Sequence, residues 1–251
     1  MMTIPRLPLA DGPSHAPTLV CLPGAMCSPQ VYAGAARLSG LPALALAWLQ
    51  DEGPHDLDAI ATRVCDALHD LPRVILVGHS LGTPIAVLAA CQMWQRGGSQ
   101  ITGLVLANSG ANTHGHGDID SLIRRIDIEW GEAFWDAFVS RCFGTLPDAP
   151  LLQAVRDYPA RLRKAAVIEA LRGQQARDLL PLLHELGRVP VAVVHGRHDP
   201  ARTLEHARQM QDAIPGASLH VLDTGHTSCA EAPEAFARIV REVAARAMPV
   251  H

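Results

Sequence analysis

A serine, an aspartate and a histidine stand in this sequence where a nucleophile, its base and the base's acid would need to stand. A serine hydroxyl attacks a carbonyl only when a base removes its proton, and an imidazole does this best when a carboxylate fixes its tautomer. Residues 73–82 read Arg-Val-Ile-Leu-Val-Gly-His-Ser-Leu-Gly. An apolar run with the length of a buried strand enters Gly78-His79-Ser80-Leu81-Gly82, a Gly-x-Ser-x-Gly pattern, and a helical stretch follows. Strand, sharp turn and helix together lift a serine hydroxyl off a sheet. Glycines on either side let the two elements close around it. Ser80 is the candidate nucleophile.

The acid and the base should follow at the ends of later strands. Residues 190–199, Pro-Val-Ala-Val-Val-His-Gly-Arg-His-Asp, read as a strand and a loop ending in Asp199. Residues 217–226, Ala-Ser-Leu-His-Val-Leu-Asp-Thr-Gly-His, read as another strand and a loop ending in His226. Asp223 competes with Asp199, but a residue so close to His226 on one strand end would struggle to reach the far ring nitrogen. Asp199 is therefore the expected acid. His79 is expected to pack beside the sheet. His195 and His198 flank Gly196 near Asp199 and could suggest a metal site; the acid role explains Asp199 without one. No metal and no cofactor are expected.

A strand over 18–22 breaks into Pro23-Gly24-Ala25. Here the chain resembles the α/β-hydrolase superfamily, in which this first loop is usually His-Gly-x. The likeness runs from about Thr18 to Met248 and includes the stretch from Gly225 to Phe236. It is to the small carboxylesterases, enol-lactonases and proline iminopeptidases together. The resemblance implies the chain order Ser80, Asp199, His226. It also implies an oxyanion hole made by the backbone N–H groups of Ala25 and Leu81. Pro23 replaces the usual histidine at a place where only backbone is needed.

These residues need a scaffold that brings strand ends together. Apolar runs alternate with helical patterns, the signature of an α/β fold with a mainly parallel sheet flanked by helices. Strands are expected over 18–22, 43–48, 74–78, 101–107, 191–195 and 218–222, with helices over 57–69, 81–95, 203–213 and 233–247. Pro84 is tolerated in the first turn of its helix. The antiparallel strands that often open this fold are expected to be shortened or missing. Between 108 and 188 the alternation stops, in a segment too long for a loop. The expected organisation is a hydrolase core over 1–110 and 188–251, with a helical cap over 111–187 above the carboxyl ends of the strands.

Met26 and the cap aromatics Trp130, Phe134, Trp135 and Phe138 are candidate walls of a substrate pocket. Trp130, Phe134 and Phe138 recur every four residues and so share one helix face. The plainer reading is that this face fastens the cap to the core. His114 and His116 in a Gly-rich loop are read as solvated. Few charged groups stand near the motifs, so an uncharged acyl group of short to medium length is expected.

With 251 residues, 48% of them hydrophobic, the chain suits one such domain with its insertion. A net charge of −4 gives no basic footprint for nucleic acid. No apolar run is long enough to cross a membrane, and the opening Met1-Met2-Thr3-Ile4-Pro5-Arg6 lacks a signal peptide's apolar core. The six cysteines show no CxxC spacing and read as the reduced thiols of a cytoplasmic protein. The expected activity is hydrolysis of a small-molecule carboxylic ester, thioester or lactone. Rivals are a lyase, a cofactor-free oxygenase, a peptidase anchoring an amino terminus on Glu129, Glu132 and Asp136, and a receptor-like binder with little turnover.

Overall fold

The computed structural model describes residues 4–115 and 118–247; His116 lies outside them. Seven strands form one sheet: β1 (Arg6–Ala10), β2 (Thr18–Leu22), β3 (Ala43–Leu46), β4 (Val74–His79), β5 (Ile101–Ala107), β6 (Val191–Gly196) and β7 (Ser218–Leu222). Their order is β1-β3-β2-β4-β5-β6-β7. Only β1 runs antiparallel, along β3; every other pairing is parallel. The opening of the fold is thus shortened to one five-residue strand rather than lost.

The central strand β4 is buried along its whole length, as its run of Val74, Ile75, Leu76 and Val77 requires. Its side chains alternate between two cores. Val74 and Leu76 join the face covered by α2 (Leu57–Ala67), α3 (Gly82–Gln95) and α9 (Leu204–Ala213), whereas Ile75 and Val77 join the face covered by α1 (Ala33–Ser39) and α11 (Pro233–Ala247). Five helices stand between β5 and β6: α4 (Ile119–Glu129), α5 (Glu132–Arg141), α6 (Ala149–Asp157), α7 (Lys164–Gln175) and α8 (Leu180–Leu183). Ile123, Phe134, Val167 and Leu171 of this segment belong to the same apolar cluster as α2 and α3. A short helix, α10 (Ser228–Glu231), precedes α11. No described helix is long and apolar enough to cross a membrane.

The aromatic row is not one helix face. α4 ends at Glu129, Trp130 leaves the helix at φ −54°, ψ 108°, and Gly131 is extended at φ 164° before α5 starts. Trp130 therefore sits in the break and packs edge-to-face on Trp135, with ring centroids 5.4 Å apart. Phe134 and Phe138 share α5.

The turn from β4 into α3 is closely packed against the end of β2. A Cβ on Gly82 would lie 2.0 Å from the Leu22 carbonyl oxygen, and one on Gly78 would lie 2.6 Å from the Gly82 carbonyl oxygen. Both obstacles are backbone, which cannot swing aside. Gly82→Ala should therefore cost more than about 2 kcal/mol, toward the upper range for overpacking. Urea unfolding of the variant would measure this, and an unchanged midpoint would refute the steric account.

Candidate active site

The carboxyl ends of β4, β5, β6 and β7 deliver Ser80, Asn108, Asp199 and His226 to one place. Ser80 adopts φ 53°, a left-handed geometry that non-glycine residues rarely hold. It is pinned there because its N–H donates to the Ala107 carbonyl at 2.9 Å while its own carbonyl accepts from Thr83 N–H at 3.0 Å. The hydroxyl Oγ lies 3.0 Å from His226 Nε2, and His226 Nδ1 lies 2.8 Å from Asp199 Oδ2. The three side chains predicted from sequence thus form one hydrogen-bonded chain.

Asp199 is held from four sides. Oδ1 accepts from the backbone N–H groups of Ala201 (2.8 Å) and Arg202 (3.0 Å), and Oδ2 accepts from His226 and from Asn108 Nδ2 at 3.1 Å. Burial works to raise its carboxyl pKa; the hydrogen bond and charge of His226, with Ala201 and Asn108, outweigh that and hold it down at about 2. Asp223 instead sits 83% exposed outside the site, 2.8 Å from His198.

Three supports carried no sequence signal. Asn108, itself at φ 51°, also donates to the Gly225 carbonyl at 3.2 Å, tying β5 to the His226 loop. The Glu231 carboxylate accepts from the N–H groups of Gly225 (3.0 Å), Thr227 (3.2 Å), Gly144 (2.8 Å) and Thr145 (3.1 Å). The loop after β2 is braced by Trp48 Nε1 on the Pro23 carbonyl and Tyr32 Oη on the Leu22 carbonyl, both at 2.9 Å. The amides of Ala25 and Leu81 make no hydrogen bond among the described residues. Both residues border the cavity into which Ser80 opens.

That cavity has a volume of about 390 Å³, within the usual range for small-molecule sites. Met26, Phe134 and Phe138 line it; Trp130 and Trp135 do not, because the helix break turns them onto each other. His114 is also absent from its wall. The expectation of few charges is wrong. Arg125, Arg141 and Asp118 reach the cavity from the segment between β5 and β6, and Arg202 from the loop of Asp199 itself. Of the acids weighed as an amino-terminus anchor, Glu129 pairs with Arg125 at 3.0 Å and Asp136 with Arg156 at 3.4 Å, and neither they nor Glu132 line the wall.

Residues 19–239 match the profile of the alpha/beta hydrolase family. The chain belongs to that family. Among solved structures, the enol-lactonase from Burkholderia xenovorans LB400 superposes with a TM-score of 0.78 at 22% identity, covering 96% of this chain and 95% of that one. The esterase from Exiguobacterium antarcticum gives 0.81 at 18% identity, covering 96% and 94%. The bromoperoxidase from Bacillus anthracis gives 0.80 at 16%, covering 94% and 92%. Likeness at these identities speaks to the fold alone. An uncharacterized protein of Mycobacterium bovis is 26% identical over 196 residues, 68% of this chain and 55% of that protein. The chain spans about half the length of the curated relatives it matches.

His79 is more than packing. Its Nε2–H donates to the His226 carbonyl at 2.7 Å, and its ring centroid lies 5.1 Å from that of His226. Burial and then the neighbouring His226 push its pKa down to about 3, so the ring stays neutral. In the unfolded chain it titrates near the usual value of about 6.5. The unfolded state therefore binds the extra proton first, and this part of the stability is lost as pH falls from about 6.5 toward 3, by about 1.4 kcal/mol per pH unit. Urea unfolding at pH 7.0 and 4.5 should show the protein losing about 2 kcal/mol more than His79→Gln. Parallel losses would contradict this account.

Proposed function

We propose that this chain is a serine hydrolase that cleaves a carboxylic ester, thioester or lactone through an acyl-enzyme. The observation carrying this reading is the continuous Ser80–His226–Asp199 hydrogen-bonded chain opening into a cavity bordered by two unused amides. Ser80 Oγ attacks the carbonyl carbon as His226 Nε2 takes the hydroxyl proton. The carbonyl oxygen becomes an oxyanion held by the N–H groups of Ala25 and Leu81, each worth roughly a few kcal/mol in the transition state. Asp199, already ionised, fixes the His226 tautomer and stabilises the imidazolium. The tetrahedral species collapses, the bond to the leaving oxygen or sulfur breaks, and His226 gives that atom the proton. A water molecule then attacks the acyl-enzyme, again losing its proton to His226, which returns it to Ser80 as the acid departs. In this reading the α4–α8 segment is a cap over the active site.

Glu129, Glu132 and Asp136, the acids weighed for an aminopeptidase-type anchor, do not line the cavity, which favours an ester-type substrate over a peptide. Labelling with a fluorophosphonate, located by peptide mass spectrometry, should modify Ser80 and vanish in Ser80→Ala. Labelling at Cys27 or another serine would sink the assignment.

Asp199→Asn should keep the protein folded and substrate binding nearly intact, while turnover at neutral pH falls by about 10³–10⁴-fold. Steady-state kinetics with an activated ester separates the two effects. If Asp223→Asn does the damage and Asp199→Asn is nearly silent, the acid is misassigned.

A further inference from the structure

The cavity wall holds a guanidinium to which no carboxylate is hydrogen-bonded among the described residues. Arg202 Nη1 donates to the Ala201 carbonyl at 2.9 Å, while its Nε is shut away from solvent and has no partner. No carboxylate forms an ion pair with it among the described residues. Asp199 is the one acid acting on it electrostatically, and that carboxylate already accepts from His226, Asn108 and two backbone amides. Burial lowers the Arg202 pKa to about 10, against the pull of Asp199, so the group remains a cation at neutral pH.

A largely desolvated guanidinium with unfilled donors is costly to the fold even with the Asp199 charge nearby. Packing alone does not account for it, because an apolar side chain of similar length would fill the same wall. The other charges of the wall sharpen the point. Arg125 is neutralised by Glu129 at 3.0 Å, and Asp118 faces Arg124 at 3.5 Å. Arg141, exposed at the end of α5, makes no ion pair among the described residues and borders the same cavity. Arg202 and Arg141 are thus the two guanidinium groups of the wall without an ion pair among the described residues.

We propose that the substrate carries a carboxylate in addition to the bond being cleaved, and that Arg202 seats it, with Arg141 drawing it in at the mouth. This rests on the hydrolase reading above and specifies its substrate class: a half-ester of a dicarboxylic acid. A planar guanidinium fork suits a carboxylate, and Nη2, neither bonded nor shut away among the described residues, is the nitrogen left to donate. The apolar wall made by Met26, Phe134 and Phe138 accommodates the short carbon chain between the two carboxyl functions.

The test compares the monomethyl esters of succinate, glutarate and adipate with neutral methyl esters of matched chain length. At least one half-ester should exceed its neutral counterpart in kcat/KM by about tenfold or more, equivalent to about 1.4 kcal/mol. Arg202→Gln should shrink that ratio by about tenfold, with Arg202→Lys falling between. Calorimetry on Ser80→Ala, which needs no turnover and no change at Arg202, should show the preferred half-ester binding more tightly than the neutral ester. Adding Arg202→Gln to that protein should erase the difference. Binding of this kind without turnover in the parent protein would overturn the hydrolase reading and leave the carboxylate seat standing. Equal binding of charged and neutral esters by Ser80→Ala, or a kcat/KM ratio indifferent to Arg202→Gln, would overturn the seat.

Discussion

A negative charge kept where water does not reach it is the condition on which this site depends. The Asp199 side chain has 0% exposed surface, yet it stays ionised because four donors converge on its two oxygens. Burial alone would neutralise it, and a neutral acid could neither hold His226 Nδ1–H nor stabilise an imidazolium. Meeting that condition fixes much of the architecture. The donors come from the ends of β5, from the turn after β6 and from the loop after β7, so three parallel strands must end at one level. The register of β4 to β5 to β6 brings Ser80 alongside the same point.

Backbone strain collects at the same spot. Among the described residues the non-glycine positions at positive φ are Met26, Ser80 and Asn108, and all three border the hydrogen-bonded chain or the cavity. Such conformations cost roughly 1–3 kcal/mol each and persist only where the surroundings over-determine them. The surroundings here are identifiable. Gly78 and Gly82 let β4, α3 and the end of β2 close on Ser80, Trp48 and Tyr32 grip the carbonyls just before Met26, and Asn108 is pinned by its two hydrogen bonds. The strain is therefore a product of tertiary contacts, not of local sequence preference.

That distinction explains what the sequence revealed. Ser80 was legible because strand, turn and helix are all local, and Asp199 and His226 because each ends an apolar run. The six parallel strands were legible for the same reason. β1 was not, since a half-buried edge strand containing Pro8 carries little apolar patterning. The row Trp130, Phe134 and Phe138 misled because spacing by four cannot register one extended glycine between two helices. Asn108, Glu231 and Trp48 left no trace in the pattern, because what each does depends on where distant segments lie when folded, and nothing local in the Asp199 loop marks Arg202 as facing a cavity. The charge of the cavity was invisible for that reason.

The helical segment and the loop of His226 are also joined by hydrogen bonds. Glu231 receives N–H groups from Gly225 and Thr227 on either side of His226, and from Gly144 and Thr145 just beyond α5. Thr227 Oγ1 reinforces the joint by donating to the Cys142 carbonyl at 2.8 Å. The helix presenting Phe134, Phe138 and Arg141 to the cavity therefore ends on the same carboxylate that fixes the loop of His226. A roof hinged freely over the cavity would let substrate contacts vary independently of the base. This joint denies that freedom at the carboxyl end of α5, which is tied to the loop of His226. Under the proposed function, substrate contacts along α5 and proton transfer at Ser80 would share one anchor, and the geometry of one would constrain the other.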